Sequence, residues 1–298
     1  MDVLWAVLVQ PFVDMVSAPD FLLQVVWDGF VGGVLYALIA LGFVLIFKAS
    51  GIFNFAQGIM VVFAALTLVG LHEMGLPAWV AVILTLGVMF VIAVGIERIV
   101  LRPLVNQPDI ILFMATIGIT LFLVGTGEII FGGENKVMIS DELGIPGGSI
   151  DFEPFGGLLI LEQRDITVVI GAALMVVALL VFLNKSRMGR AIRALGDDHQ
   201  AALSVGISLS TIWVLVWFLA GIIALKALPV LMLGGLESIT GAIVGGLAIG
   251  ILEKLFEIYW GQPLLGGNTE AWFAYVLALT VLLFRPQGLF GEKIIERV

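Results

Sequence analysis

Residues Phe21 to Phe47 read FLLQVVWDGFVGGVLYALIALGFVLIF, an apolar run with one charged side chain, Asp28. A helix needs about 20 apolar residues to cross the hydrocarbon core of a bilayer, and this run is long enough. Seven further apolar segments follow it: Ile59 to Leu71, Ala78 to Ile96, Ile110 to Ile130, Ile166 to Leu183, Thr211 to Leu225, Gly241 to Tyr259 and Ala271 to Phe284. The sequence therefore predicts an all-α polytopic membrane protein with about eight membrane segments.

The composition excludes an ordinary soluble enzyme. Of the 298 residues, 61% are hydrophobic and 12% are charged, whereas soluble domains have about 25% charged residues. The mean hydropathy is +1.16. The chain has no cysteine and two histidines, which excludes disulfides, iron–sulfur clusters and thiolate zinc sites and disfavours a histidine-rich metal site. We predict no metal site and no cofactor.

Charge distribution predicts the orientation in the membrane. Because lysine and arginine concentrate in short cytoplasmic loops, three basic clusters and the C-terminus are predicted to be cytoplasmic: Arg98 and Arg102; Lys185, Arg187, Arg190 and Arg193; Arg285, Lys293 and Arg297. Residues 128–165 carry eight acidic side chains against Lys136 and Arg164, so this loop is predicted to lie outside the cytoplasm. Its Gly-Ile-Pro-Gly-Gly run at 144–148 predicts turns and a small hairpin of short strands.

These features divide the chain into three regions. Residues 1–20 are predicted to form an interfacial segment, because residues 1–16 are apolar but lack the basic n-region of a signal peptide. Residues 21–291 form the transmembrane domain, which includes the extracytoplasmic loop 128–165 and a cytoplasmic loop at 184–210. Residues 292–298 are predicted to form a cytoplasmic tail.

The number of crossings does not fit this orientation. The sixth segment must rise from the basic loop before Thr211, and the seventh must also rise because the eighth descends to Arg285. A descending span is needed between them, and only Lys226 to Leu236 is available for it. That stretch would be about 16 Å long as a helix, roughly half a bilayer. Either it is a re-entrant half-helix, or the chain lacks about one span near Ile223 to Lys226. We favour the second explanation.

A polar interruption separates the first two apolar segments. Residues 48–58 read KASGIFNFAQG. Backbone without helical hydrogen bonds is tolerated at membrane depth only where it is buried in protein or lines a wet cavity, so such a break is a candidate element of a transport path. On the pattern alone, an ordinary cytoplasmic turn with Asn54 as a helix N-cap is the favoured interpretation.

Several blocks, in order, resemble one family. The sequence between residues 22 and 291 is similar to the permease subunits of branched-chain amino acid ABC importers, the LivH-like family. The resemblance is carried by Tyr36 to Gly42, Gly51-x-x-Asn54-Phe55-Ala56-Gln57-Gly58, Glu97-Arg98-x-x-x-Arg102-Pro103-Leu104, Ala115 to Ile119, Ser186 to Ala194, Leu233 to Gly235, Gly241-Ala242, Gly245-Gly246 and Arg285-Pro286-x-Gly288-Leu289-Phe290-Gly291.

The sequence also departs from the family pattern. After Ala224 the family carries a periplasmic excursion and a further span, which are absent here. Glu237 and Thr240 stand where relatives more often have glycine and proline. The first departure lies at the same place as the missing membrane crossing, which the charge distribution had indicated independently of the resemblance.

The resemblance implies two sets of site residues. The string Gln200-Ala201-Ala202-x-x-x-Gly206 is similar to the Glu-Ala-Ala-x-x-x-Gly loop that couples permeases to ATPases, although the basic composition alone favours a loop without a partner. The implied coupling residues are Gly189, Arg190, Arg193, Asp197, Asp198, Gln200, Ala201, Ala202 and Gly206. The implied path residues are Asn54, Phe55, Gln57, Gly58, Gly234, Gly235, Ser238 and Gly241.

The resemblance implies a bacterial inner-membrane importer subunit that is not itself an enzyme. No Gly-x-x-x-x-Gly-Lys-[Ser/Thr] phosphate loop occurs in the chain, so the energy must come from another subunit. The resemblance implies two separate ATP-binding subunits, a second homologous permease and a periplasmic substrate-binding protein. Urea or short amides are alternative substrates. A self-contained secondary transporter or channel is a rival, but Asp28, Glu128 and Glu253 lie near segment ends. An intramembrane enzyme is disfavoured because no paired nucleophile and base occurs.

Spacing predicts two further features of helix packing. Three glycine pairs have the small-x-x-x-small spacing that lets helix backbones approach closely in lipid: Gly29/Gly33, Gly241/Gly245 and Gly246/Gly250. Lys254 precedes Glu257 by three positions and is adjacent to Glu253, so an interfacial ion pair is favoured over a proton relay.

Overall fold

A computed structural model describes residues 5, 7–51, 53–105, 107–133, 144–197, 213–214, 216–217, 227–235 and 238–291. Within these residues the chain is mainly helical. The helices are α1 (Gln10–Ser17), α2 (Pro19–Ser50), α3 (Gln57–Glu73), α4 (Ala78–Gly95), α5 (Asp109–Phe131), α6 (Gln163–Lys185), α7 (Arg187–Asp197), α8 (Ala227–Gly234), α9 (Ile239–Phe256), α10 (Gln262–Leu265) and α11 (Glu270–Phe284). A π-helical turn, Ile96–Leu101, and a 3₁₀ turn, Arg102–Leu104, extend α4, and a second π-helical turn, Glu257–Gly261, joins α9 to α10.

The helices confirm the prediction of a polytopic membrane protein. In the part of the chain that the structure describes, five helical stretches are long and apolar enough to cross a membrane, and α3 and α11 are shorter apolar helices. These seven helices overlap seven of the eight predicted segments. The remaining segment, 211–225, lies largely outside the described residues, so the count of eight stays a prediction.

The chain divides into two compact units. The first comprises Met1–Ala37, Ile145–Ala173 and Leu228–Val298, and the second comprises Leu38–Gly144 and Leu174–Ala227. The long helices α2 and α6 each contribute residues to both. The packing of each unit is described separately below.

In the first unit, glycines bring α2 and α9 into backbone contact. A Cβ atom added to Gly29 would lie 2.7 Å from Cα of Ile251, and one added to Gly33 would lie 2.9 Å from Cα of Leu247. Gly250 meets the backbone of Gly33 in the same way from the opposite helix. The predicted packing role of the small-x-x-x-small pairs is therefore confirmed on these two helices.

The acidic loop contains a two-stranded antiparallel sheet in the first unit. Strand β1 (Ser149–Phe152) pairs with β2 (Leu159–Glu162), with Ser149 opposite Glu162 and Phe152 opposite Leu159. The amide of Ile160 donates a 3.0 Å hydrogen bond to the Gln24 side chain of α2. These contacts attach the hairpin to the start of the first long helix; its side of the membrane stays a prediction.

Helix α1 packs beside the second π-helical turn. The Trp260 indole nitrogen donates a 2.9 Å hydrogen bond to the Val7 carbonyl, and the rings of Phe12 and Trp260 meet edge to face with centroids 5.6 Å apart. Phe12, Val13 and Val16 nevertheless keep exposed side chains. An exposed apolar face on a short helix is typical of an interfacial segment; the interfacial placement of residues 1–20 stays a prediction.

In the second unit, α4 and α5 pack against α3. Phe63 and Phe131 meet edge to face with ring centroids 5.8 Å apart. A Cβ atom on Gly70 would lie 2.6 Å from the Phe131 ring, so the glycine makes room for that ring. The buried side chains Met60 and Met89 lie on α3 and α4 and form part of the core of this unit.

Lys254 forms the predicted ion pair, but Glu257 is not its partner. Lys254 pairs with Glu270 of α11 at 2.6 Å. Glu257 instead accepts hydrogen bonds from the backbone amides of Asn268 and Thr269, at 2.8 and 2.7 Å, and from the Thr269 hydroxyl. Its carboxylate therefore satisfies donors that precede α11, where the positive end of the helix dipole also favours a negative charge.

We expect Glu257→Gln to destabilise the first unit by about 2 kcal/mol. Glu257 is only 7% exposed, and glutamine offers one oxygen and an NH₂ group where three donors converge. The matched control is Glu270→Gln, because the Lys254–Glu270 pair is partly exposed and should contribute less than about 1 kcal/mol. Thermal unfolding of the purified variants in detergent would measure both; equal shifts would contradict the prediction.

Candidate functional site

The break between α2 and α3 lies in the second unit and buries two amides. Asn54 and Gln57 are fully buried. The Asn54 Oδ1 accepts a 2.9 Å hydrogen bond from the amide of Ala56, and the Gln57 Nε2 donates to the Ile39 carbonyl at 3.3 Å. Gly58 follows, half-buried, in the first turn of α3. The Asn54 side chain thus satisfies a backbone amide in the interruption between the two helices, and the Gln57 side chain ties the start of α3 to the middle of α2.

The structure corrects the interpretation of Asn54 as a helix N-cap. Helix α3 begins at Gln57, and its N-cap is Ala56, which has no side-chain capping hydrogen bond. Asn54 bonds the amide two residues ahead of it, which is the pattern of an Asx turn. The asparagine therefore shapes the connection before the helix and does not cap it.

An aromatic ladder runs beside this break. The rings of Phe43 and Phe53 are 5.3 Å apart, those of Phe53 and Phe55 4.9 Å, and those of Phe55 and Phe113 4.8 Å. Phe55 remains 43% exposed. Of these four residues the sequence singled out only Phe55, because the ladder joins residues from α2, the break and α5 that are distant in the chain.

Thr116 on α5 connects the break to that helix. Its hydroxyl accepts a 3.3 Å hydrogen bond from the Phe55 amide and donates one of 2.8 Å to the Phe113 carbonyl. Thr116 is fully buried. The sequence included it only within the block Ala115 to Ile119, where a polar residue inside an apolar segment was the available signal.

We expect Asn54→Ala to lower the stability of the second unit by about 1–2 kcal/mol, because it leaves the buried Ala56 amide without its acceptor. The control is Thr120→Ala, since the Thr120 hydroxyl bonds only its own helix, at the Thr116 carbonyl 2.9 Å away. Melting temperatures of the purified variants would compare them. A smaller effect for Asn54→Ala than for Thr120→Ala would be inconsistent with this role.

The other four predicted path residues form the connection between α8 and α9 in the first unit. The Ser238 hydroxyl accepts a 3.0 Å hydrogen bond from the Gly241 amide and caps α9. Gly235 has φ +104°, a conformation that favours glycine. Gly234 and Gly241 are in backbone contact. These residues have clear structural roles in a tight turn, and their part in transport stays a prediction.

The C-terminal block closes this turn. The amides of Leu289 and Phe290 donate hydrogen bonds to the carbonyls of Leu233 and Gly234, at 2.8 and 3.0 Å. A Cβ atom on Gly288, which has φ +76°, would lie 2.7 Å from the amide nitrogen of Gly235. The last carbonyls of α8 thus have partners more than fifty positions away.

The predicted coupling loop begins with α7 in the second unit. The Gly189 amide donates a 2.8 Å hydrogen bond to the Ser186 hydroxyl, and Arg190 donates to the Lys185 carbonyl at 3.0 Å. A Cβ on Gly189 would press against the Phe182 carbonyl oxygen. Arg193 and Asp197 are helical. The remaining coupling residues lie outside the described residues: Asp198, Gln200, Ala201, Ala202 and Gly206.

Comparison with known proteins identifies the family. The family described as "Branched-chain amino acid transport system / permease component" matches residues 26–227, about two thirds of the chain. The chain belongs to this family. The resemblance noted in the sequence is confirmed, and so is the prediction that this permease is a multi-pass transport subunit and not itself an enzyme. Permeases of this family work with ATP-binding and substrate-binding components.

Curated relatives align with almost the whole permease. It is 29% identical over 318 aligned positions to the "High-affinity branched-chain amino acid transport system permease protein BraD" of Pseudomonas aeruginosa, covering 93% of this chain and 98% of BraD. It is 28% identical over 312 aligned positions to the "High-affinity branched-chain amino acid transport system permease protein LivH" of Escherichia coli (strain K12), covering 93% of this chain and 98% of LivH. No solved structure matches the permease at a significant level.

These alignments also show that the permease lacks residues that its relatives have. Because 93% of 298 residues is about 277, an alignment of 318 positions leaves about 41 positions of BraD without a counterpart. A membrane span needs about 20 residues, so the missing length is enough for a span and its loops. The family match ends at residue 227, close to the position after Ala224 where the number of crossings is deficient.

Proposed function

We propose that this permease moves branched-chain or other small hydrophobic amino acids into the cytoplasm across the bacterial inner membrane. The observation that carries the proposal is the alignment of 93% of the chain with 98% of relatives named as branched-chain amino acid transport permeases. The same relatives favour amino acids over urea or short amides as the substrate. The permease acts with a second homologous permease, two ATP-binding subunits and a periplasmic substrate-binding protein.

The proposed transport path uses polar groups at the two helix connections. Asn54, Phe55, Gln57 and Gly58 contribute from the break before α3, and Gly234, Gly235, Ser238 and Gly241 contribute from the turn before α9. The support is physical: interrupted helices at membrane depth line protected cavities in transporters. In this mechanism the exposed Phe55 ring contacts the apolar side chain of the substrate, and the buried amides of Asn54 and Gln57 hold the break that presents this ring.

The proposed coupling element is the loop 184–210. Helix α7 and the residues Asp198, Gln200, Ala201, Ala202 and Gly206 dock in a groove of an ATP-binding subunit. Small residues allow close contact, and the flanking charges set the register. ATP binding draws the two ATP-binding subunits together, and the loop transmits this movement to the membrane helices. This places loop 184–210 and the C-terminus in the cytoplasm and loop 128–165 in the periplasm.

Affinity purification from mild detergent, followed by uptake measurements in proteoliposomes, tests the proposal. We expect two ATP-binding subunits and a second permease to copurify, and labelled leucine uptake to require ATP and the binding protein. Uptake driven by an ion gradient without ATP would contradict the importer assignment. Uptake of urea but not leucine would contradict the substrate assignment.

The missing length provides a second arm of the experiment. If the chain is recovered alone, about 20 residues of a relative's span should be inserted after Ala224 and the purification repeated. Recovery of the partners would show that the shortened region prevents assembly. Continued absence of the partners with the restored span would contradict the proposed subunit composition.

A further inference from the structure

An apolar groove in the second unit lies between α4, with its π-helical turn, and α5. Its volume is about 470 Å³, and its ten lining residues are all aliphatic, glycine or phenylalanine. That volume falls within the roughly 300–1,000 Å³ of pockets that bind small ligands. The groove lies on two stretches that are long and apolar enough to cross a membrane. A dry groove in that position is filled by lipid or by another protein.

Two glycines make the groove deep. A Cβ atom added to Gly95 or to Gly118 would meet no described atom within 4 Å. This contrasts with Gly29 and Gly33, whose absent side chains leave room for a neighbouring helix in the first unit. Gly95 and Gly118 instead leave space that the described chain does not fill. On the rim, Ile99 is 77% exposed and Phe122 is 70% exposed.

Two arginines lie in the same helical stretch as the lining residues Ile99 and Val100. Arg98 directly precedes Ile99 in the π-helical turn, and Arg102 begins the 3₁₀ turn two positions after Val100. Both arginines are exposed. Neither forms an ion pair with a carboxylate among the residues that the structure describes. Glu97, which could neutralise them, is only 2% exposed.

The two exposed arginines favour a lipid over a protein helix as the occupant of the groove. An apolar helix of another subunit would fill the groove but would leave two guanidinium groups beside it without counter-charges. An anionic phospholipid supplies an acyl chain for the groove and a phosphate for the arginines, and basic sites between membrane helices are known to recognise such headgroups. We propose that this groove binds one acyl chain of an anionic phospholipid, with its phosphate held by Arg98 and Arg102.

The test is lipid retention by the purified permease, measured by native mass spectrometry after delipidation and titration with phosphatidylglycerol or phosphatidylcholine. The wild-type chain should retain one tightly bound phosphatidylglycerol. Gly118→Phe fills the groove and should abolish that binding. The matched control, Gly125→Phe, lies on the same helix, also has open space around an added Cβ and does not line the groove; it should retain the lipid.

A second variant tests the headgroup without altering the groove. Arg98→Gln combined with Arg102→Gln should weaken phosphatidylglycerol binding on the order of tenfold or more and leave phosphatidylcholine binding unchanged. This variant decides the question even if Gly118→Phe fails to fold. Unchanged phosphatidylglycerol binding in the double variant would overturn the proposal. So would a Gly118→Phe chain that keeps its lipid but loses the second permease, because the groove would then be a protein interface.

Discussion

Replacing Gly33 by valine is expected to destabilise the first unit by about 3 kcal/mol or more. A Cβ at this position would lie 2.9 Å from Cα of Leu247 and 3.0 Å from the Gly246 carbonyl oxygen. Both neighbours are backbone atoms, so no side chain can rotate to make room. The helices α2 and α9 would have to separate, and close packing is a main source of helix association in lipid.

The adjacent residue provides the control for this prediction. Gly32 lies on the same helix, and an added Cβ there meets nothing within 4 Å. Gly32→Val should therefore change stability by less than about 1 kcal/mol. Thermal unfolding and the fraction of monodisperse protein in detergent would compare the two variants. Similar losses for both would show that valine acts through the helix itself and not through the contact with α9.

Replacing Gly206 by arginine is expected to abolish transport while the permease remains in the membrane. Gly206 lies in the proposed coupling loop, outside the described residues, at the end of the string Gln200-Ala201-Ala202-x-x-x-Gly206. In the proposed coupling role, a small residue here lets the loop approach the surface of an ATP-binding subunit closely. An arginine side chain there would hold the two subunits apart and bury a charge without a matched partner.

Two measurements separate this effect from a loss of protein. Immunoblotting of membranes should show equal amounts of wild-type and Gly206→Arg permease, and labelled leucine uptake should fall to background in the variant. Gly206→Ala should retain transport because its side chain is still small. Full uptake by the arginine variant, in a complex whose wild-type form transports leucine, would contradict the coupling assignment.

The sequence predicted the membrane helices well because their signal is local. A run such as Phe21 to Phe47 must satisfy its own backbone hydrogen bonds in lipid, so length and hydropathy are enough to predict a helix. The break before α3 was likewise visible as glycine and polar residues between two apolar runs. The shortage of one membrane crossing was likewise inferred from the distribution of charge. The alignments are consistent with it, because they leave positions of the relatives without a counterpart in this chain.

Side-chain partners were harder to predict because they depend on distant parts of the chain. Local spacing favoured Glu257 as the partner of Lys254, but a turn at Asn268 and Thr269 brings two backbone amides to that carboxylate, and Lys254 reaches Glu270 instead. The hydrogen bond between Phe55 and Thr116 is also nonlocal. Helical spacing carries no information about such contacts.

The pairing of Leu289 and Phe290 with the end of α8 affects the order in which the permease folds. In lipid, each unpaired carbonyl is costly, and those of Leu233 and Gly234 accept hydrogen bonds from the amides of Leu289 and Phe290, 56 positions further along the chain. Helix α8 and its turn therefore cannot complete these hydrogen bonds until the ribosome has synthesised Phe290. A chain that stalls between Gly235 and Leu289 would leave both carbonyls without these partners.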